Sequence, residues 1–179
     1  MPKKYNIALL PLHSSDEIIE FAKKFSTLSE NYMLGEKSLP HVTLCQFYAE
    51  EKQVNEVWEN ACNTLTEHSL ELTFGNFSCI SFDESTFWVS LLPDKVDALN
   101  DMYSEIIKIV KPFNNKLFDP HMTLFNTKNK EYKTLIKDDL SQYSSISDCF
   151  ILALGECDEI GQFTRLVESY QLSKSLSFT

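Results

Sequence analysis

Arginine is nearly missing from this chain. Arg165 is the only one among 179 residues, and 16 basic side chains face 26 acidic ones, a formal charge of −10. A long polyanion is held by many Lys/Arg–phosphate contacts, and no dense basic stripe is present to make them. Extended duplex nucleic acid is therefore not expected as a partner. A nucleotide or short oligonucleotide, which needs only a few local donors, is not excluded. Paired cysteines are missing too. The five at positions 45, 62, 79, 149 and 157 are odd in number and none has C-x-x-C spacing, so neither a disulfide framework nor a zinc ribbon is indicated. The amino terminus, Met1-Pro2-Lys3-Lys4-Tyr5, runs straight into a strand-like segment without an apolar leader, and no later run is long enough to span a bilayer. Free thiols and no membrane segment predict a cytoplasmic location. No H-x-x-x-H pair or acidic cluster accompanies the histidines, so no metal and no other cofactor are expected. No stretch has the composition of a flexible linker, and residues 1–179 are expected to act as one monomeric domain.

What is present is enough to build a core: 43% hydrophobic residues and 12% aromatics, with 13 Phe and 7 Tyr. Tyr5 to Leu12 reads as a strand. Ser14 and Glu17 have capping-box spacing ahead of a helix whose stripe is Ile18, Phe21, Ala22, Phe25 and Leu28. A strand over 41–48 follows Pro40, and Val54, Val57, Trp58, Ala61, Cys62 and Leu65 mark a second helix. Leu70 to Phe82 is strand-rich, with Gly75 as a bulge, and Asp83-Glu84-Ser85 turns it into Thr86–Leu92. A third helix carries Val96, Leu99, Tyr103, Ile106 and Val110 up to Pro112; a strand over 121–127 and a weaker helix over 131–140 come next. Closing strands are predicted near Cys149–Glu156 and Phe163–Leu172. The order suggests an α+β, bilobal fold in which strand-helix-strand-helix-strand is stated twice. The halves would span approximately 1–84 and 85–179, related by a pseudo-two-fold axis around a central cleft.

One phrase recurs inside that order. Pro40-His41-Val42-Thr43-Leu44 returns as Pro120-His121-Met122-Thr123-Leu124, and uses two of the four histidines. Side chains alternate along a strand, so His41 and Thr43 share one face while Val42 and Leu44 turn to the core; His121 and Thr123 do likewise. A histidine followed by apolar-Ser/Thr-apolar arises by chance in roughly a few per cent of cases at ordinary composition. Two of four is improbable as coincidence. The motif strands are expected to meet at the axis and face each other across one cleft. Histidine titrates near neutrality, so one imidazole can serve as general base while the other serves as general acid.

The paired phrase resembles the signature of the two-histidine (2H) phosphoesterase superfamily, which includes the 2′-5′ RNA ligase-like proteins and cyclic nucleotide phosphodiesterases. That resemblance implies a bilobal fold and metal-free chemistry on a phosphodiester next to a ribose. His41, Thr43, His121 and Thr123 would be catalytic: the imidazoles would move protons and the hydroxyls would hold phosphate oxygens. The expected activity is hydrolysis of a 2′,3′-cyclic phosphate or a 2′-5′ phosphodiester in a nucleotide or short oligonucleotide. The alternative is a module that binds a nucleotide or RNA end without turnover. Continued alternation puts Phe47 and Phe125 on the cleft face, where they could stack a base, and Lys37 and Lys116 in loops that could reach phosphate. Arg165 is a candidate clamp and Asp119 a candidate orienter, whereas His13 and His68 lack the motif. Two departures stand out from the bacterial RNA-ligase branch, which favours Phe-Leu-Gly after the first motif and arginine after the second. Here Cys45-Gln46-Phe47-Tyr48 and Asn126 occupy those places.

Overall fold

Apolar runs become strands where both faces can be covered, and amphipathic runs become the helices that cover them. A computed structural model describes residues 1–114 and 116–171. It contains β1 (Lys3–Pro11), α1 (Ser15–Lys23), β2 (Val42–Ala49), α2 (Glu51–Thr64), β3 (Ser69–Ser81) and β4 (Phe87–Pro93). These are followed by α3 (Val96–Ile106), β5 (Met122–Thr127), α4 (Tyr132–Ser141), β6 (Ile146–Cys157) and β7 (Phe163–Ser169). Every element expected from the sequence is present; Leu172, the predicted end of the last strand, lies outside the described residues. Gly75 marks a bulge, since the β3–β4 register shifts between Phe74 and Asn76.

All strand pairs are antiparallel and form one seven-stranded sheet in the order β2-β1-β6-β3-β4-β5, with β7 also on β6. β3 pairs with β4 and β6, while β6 returns to pair with β1. The expectation that the motif strands meet at an axis is corrected here. β2 and β5 stand at opposite ends of the strand order, separated by four strands.

The two ends are brought to one cleft by an exchange of loops. The segment leading to the first motif lies along the free edge of β5: Glu30 N donates to Asn126 O at 2.8 Å and Leu34 N to Leu124 O at 2.9 Å. The segment leading to the second motif touches the edge of β2, where Phe113 N donates to Gln46 O at 2.8 Å. Each motif strand is thus edged by the approach to the other motif, β5 through several backbone bonds and β2 at Gln46. Packing follows the same exchange. Phe25, just past α1, stacks on Phe125 of β5 with ring centroids 5.1 Å apart.

Two local expectations change. The stripe of the first helix reaches Leu28, but the α-helix ends at Lys23; Phe25, Ser26 and Leu28 donate to carbonyls three residues back, a tighter turn that still buries Phe25. The Ser14–Glu17 capping box does not form. Asp148 takes its place, its Oδ2 accepting from His13 N (2.8 Å), Ser14 N (2.7 Å) and Ser14 Oγ (2.8 Å). Burial works against this carboxylate, but those bonds and one from Cys149 N together hold its pKa below the ordinary value. A carboxylate at a helix amino terminus also complements the helix dipole.

Candidate active site

Each motif histidine is fixed by the residue two positions before it. His41 Nδ1–H donates to the Leu39 carbonyl at 2.7 Å, and His121 Nδ1–H to the Asp119 carbonyl at 2.6 Å. A carbonyl can only accept, so in the neutral ring the proton sits on Nδ1 and Nε2 carries the free lone pair. The intervening proline, Pro40 or Pro120, has its φ fixed by the ring and keeps the preceding residue extended. The phrase Pro-His is therefore a tautomer lock. Because Leu39 and Asp119 serve alike through their backbone, the carboxylate of Asp119 is not what orients His121.

Both locked rings line one cleft of about 720 Å³, together with Thr43 and Thr123. The rings differ in setting. His41 is buried, 5% exposed, with its ring centroid 5.3 Å from that of Phe163. Burial pushes its pKa down from 6.5 to about 4; the bond to Leu39 opposes this and His121 adds to it. His121 is only half-buried. The threonines accept hydrogen bonds from the adjacent inner strands: Asn6 Nδ2 donates to Thr43 Oγ1 at 2.9 Å, and Ser90 Oγ to Thr123 Oγ1 at 3.5 Å.

The expected base-stacking residues are corrected. Phe47 and Phe125 are 2% and 0% exposed and do not line the cleft. Phe47 stacks on Tyr5 in the core, and Phe125 on Phe25. The cause is a bulge in each motif strand. Ile7 pairs with Cys45 but Ala8 with Thr43, leaving Leu44 extra; Val89 pairs with Phe125 but Ser90 with Thr123, leaving Leu124 extra. One inserted residue flips every later side chain to the other face. Gln46 therefore reaches the cleft in place of Phe47.

Of the two candidate lysines, Lys116 lines the cleft, its Nζ 4.9 Å from the centre of the Phe82 ring, whereas Lys37 is exposed elsewhere. Arg165 is spent on Glu156, 2.6 Å away on the β6–β7 ladder, and is no cleft residue. His13 and His68 also lie outside it; His68 donates to Cys62 O at 2.6 Å and stacks on Tyr170. Lys4 was not anticipated. This buried lysine lines the cleft, donates to the carbonyls of Asp158 and Glu159, and sits 4.2 Å from the Phe113 ring centre. The aromatic walls, Tyr32, Phe82, Trp88, Tyr103, Phe113 and Phe118, were missed as well; the one available signal was two phenylalanines in the short loop before Pro120. Among the described residues no group of three or more His, Cys, Asp or Glu is placed to hold a metal ion.

A family model described as the 2′-5′ RNA ligase superfamily matches residues 13–145. The chain belongs to this superfamily. Its fold is that of E. coli LigT, solved with 3′-AMP, at TM-score 0.61 and 16% identity over 97% of this chain and 100% of the other. A phosphoesterase structure aligns at TM-score 0.58 and 15% identity, covering 94% and 98% of the two chains. Usb1 of Kluyveromyces marxianus aligns at TM-score 0.51 and 11% identity, covering 92% and 95%. No curated protein sequence matches the chain. The paired motifs and this fold make it a 2H phosphoesterase-like protein. Asn126, where arginine is frequent in the bacterial branch, has a local task. Its Oδ1 accepts from Asn31 N (3.1 Å) and Tyr32 N (2.9 Å), which an arginine, lacking any acceptor, could not do.

Among the described residues no helix is long and apolar enough to cross a membrane. Cys45 is the one thiol in the cleft wall, and burial pushes it up to about 12, far from a reactive thiolate.

Proposed function

We propose that the protein is a metal-independent phosphodiesterase that hydrolyses a 2′,3′-cyclic phosphate or a 2′-5′ phosphodiester of a nucleotide or short oligonucleotide. The observation that carries this reading is the pair of Nδ1-locked imidazoles lining one cleft. His41 is the base. Its low pKa keeps it neutral at physiological pH, so Nε2 can take a proton from water as the water oxygen bonds to phosphorus. The phosphorus–ribose oxygen bond breaks on the opposite side, and protonated His121 gives its Nε2 proton to that oxygen. Solvent exchange then resets both rings. Thr43 and Thr123 donate to the non-bridging oxygens, whose charge is held through the transition state. Lys4 and Lys116 supply positive charge to the same cleft.

The superfamily supports phosphoester chemistry in RNA processing, and LigT has been solved with 3′-AMP, ATP and phosphate, ligands that share the groups this cleft would recognise. Two aromatic pairs border the cleft, Tyr103 with Phe118 at 4.5 Å and Tyr32 with Trp88 at 5.7 Å; Tyr32 is buried, so the half-buried Tyr103, Phe118 and Trp88 offer the faces. Such faces suit a nucleobase. The test is incubation with a panel of 2′,3′-cyclic nucleotides and 2′-5′-linked dinucleotides, with chromatography of the products. Product that persists after exhaustive chelation is expected. Tight binding of every substrate with no product from any would instead make the protein a binding module.

A further inference from the structure

Both motif threonines are hydrogen-bond acceptors before any ligand arrives. A threonine hydroxyl has one proton and two lone pairs. Asn6 Nδ2, 2.9 Å from Thr43 Oγ1, occupies a lone pair of the first; Ser90 Oγ, 3.5 Å from Thr123 Oγ1, approaches a lone pair of the second. With a donor behind it, each hydroxyl proton is turned away from the inner strand. Both threonines line the cleft, so the cleft is where those protons can find an acceptor.

We propose that Asn6 and Ser90 are positioning residues, which set the rotor of the Thr43 and Thr123 hydroxyls so that each presents its proton to a non-bridging phosphate oxygen. This rests on the reading above, in which the threonines hold phosphate. Register shows how the two reach. Ser90 is directly opposite Thr123 on β4. Ala8 is opposite Thr43 on β1, and Asn6 lies two residues along the same face, so its longer carboxamide reaches back.

Stability alone does not account for Asn6. Asparagine is depleted in strands, yet this one is fully buried in the inner strand β1, between Tyr5 and Ile7. Its Oδ1 has no hydrogen-bond partner among the described residues. An unpartnered buried carbonyl is unfavourable, and an apolar residue of the same size would avoid that cost. Violations of this kind gather where function requires them.

The test compares Asn6→Leu and Ser90→Ala, each alone and combined with Thr43→Val and Thr123→Val respectively. Three quantities are read: kcat/KM on a substrate from the panel, affinity for inorganic phosphate, and melting temperature. Phosphate affinity reports the hydroxyl bonds whether or not the protein turns substrate over. Asn6→Leu is expected to lower kcat/KM by about tenfold to a hundredfold, to weaken phosphate binding, and to melt at or above the temperature of the parent. In the Thr43→Val background it should have no further effect, and Ser90→Ala should behave likewise toward Thr123→Val. Losses that multiply across each pair would overturn the proposal, as would undiminished activity and phosphate affinity in both single variants. Ser90→Ala is nearly isosteric, so it decides the matter if Asn6→Leu folds poorly. Full activity in Thr43→Val and Thr123→Val overturns the parent reading and this one with it; damage there with additive positioning variants overturns this one alone.

Discussion

The two copies of Pro-His-apolar-Thr-Leu have nearly the same sequence and unlike surroundings. The first is encased. Leu39, which holds His41, is itself held through its N–H to Phe163 O at 2.9 Å, and Phe163 N donates to Ser38 Oγ at 2.9 Å. The Phe163 ring, packed against His41, passes so close over Gly155 that a side chain there would collide with it and with Arg165 O. The second copy is open. His121 hangs from a loop in which Leu117 is 96% and Phe113 45% exposed, and among the described residues β7 has no counterpart beside it. Local sequence fixes the tautomer in both rings, while tertiary packing buries His41 alone and pushes its pKa down. In the proposed mechanism it is this difference in burial that assigns His41 as the base.

Removing either ring should break the comparison most completely. His41→Ala and His121→Ala are each expected to lower kcat by about 10²–10⁴. The double variant should lose far less than the product of the two, because acid and base act in one step. Single-turnover measurements check this, with circular dichroism to verify the fold. Activity in the double variant equal to that of the parent would remove both rings from the mechanism.

Acid should sharpen it next. The folded pKa of His41, about 4, lies below its unfolded value of 6.5, so the unfolded chain binds a proton that the folded chain refuses between those values. The sign follows. The stability from keeping His41 neutral is complete above pH 6.5 and is lost as pH falls toward 4, by about 3 kcal/mol in all. The acid limb of kcat/KM should fall near pH 4 rather than near 6.5. NMR titration of the ring protons reads this directly, and a His41 resonance titrating at 6.5 would refute the assignment of the base. Phe163→Leu, which loosens the packing on that ring, should move the resonance upward.

How much of this was legible in the sequence depends on the range of the interaction involved. The elements were legible, because apolar periodicity is local and strong: the stripe from Ile18 to Phe25 and the alternation around Thr43 and Thr123 each lie within a few residues. Gly75 announced its bulge through the residue itself. The bulges at Leu44 and Leu124 had no such marker, since leucine is ordinary in a strand, and strict alternation therefore put Phe47 and Phe125 on the wrong face. Asp148 at the start of α1, Asn6 behind Thr43 and Lys4 in the cleft wall depend on partners 37 to 155 residues away, which no local pattern reveals. The exchange of approach loops between β2 and β5 is of the same kind.

That correction has its own test, smaller in size. Phe125→Leu and Phe47→Leu remove core volume and should cost about 1 kcal/mol of stability each, seen as a lower melting temperature with KM unchanged. A raised KM with no change in melting would return them to the cleft as stacking residues.

The smallest effect belongs to Lys116. Its ammonium lies over the Phe82 ring at the cleft wall, but the side chain is exposed and solvent screens it. An exposed charge pair contributes little, so Lys116→Met should raise KM by about twofold to fivefold at low salt and leave kcat alone. The difference should shrink as ionic strength rises and the Debye length falls below about 8 Å. Lys4 is the proper control, because it is buried on the encased side and far less open to salt. Lys4→Met should therefore give a change in KM that salt does not erase. Equal salt dependence for both variants would mean that the two sides of the cleft are equally wet, and the contrast between the encased and the open copy would then stop at the histidines.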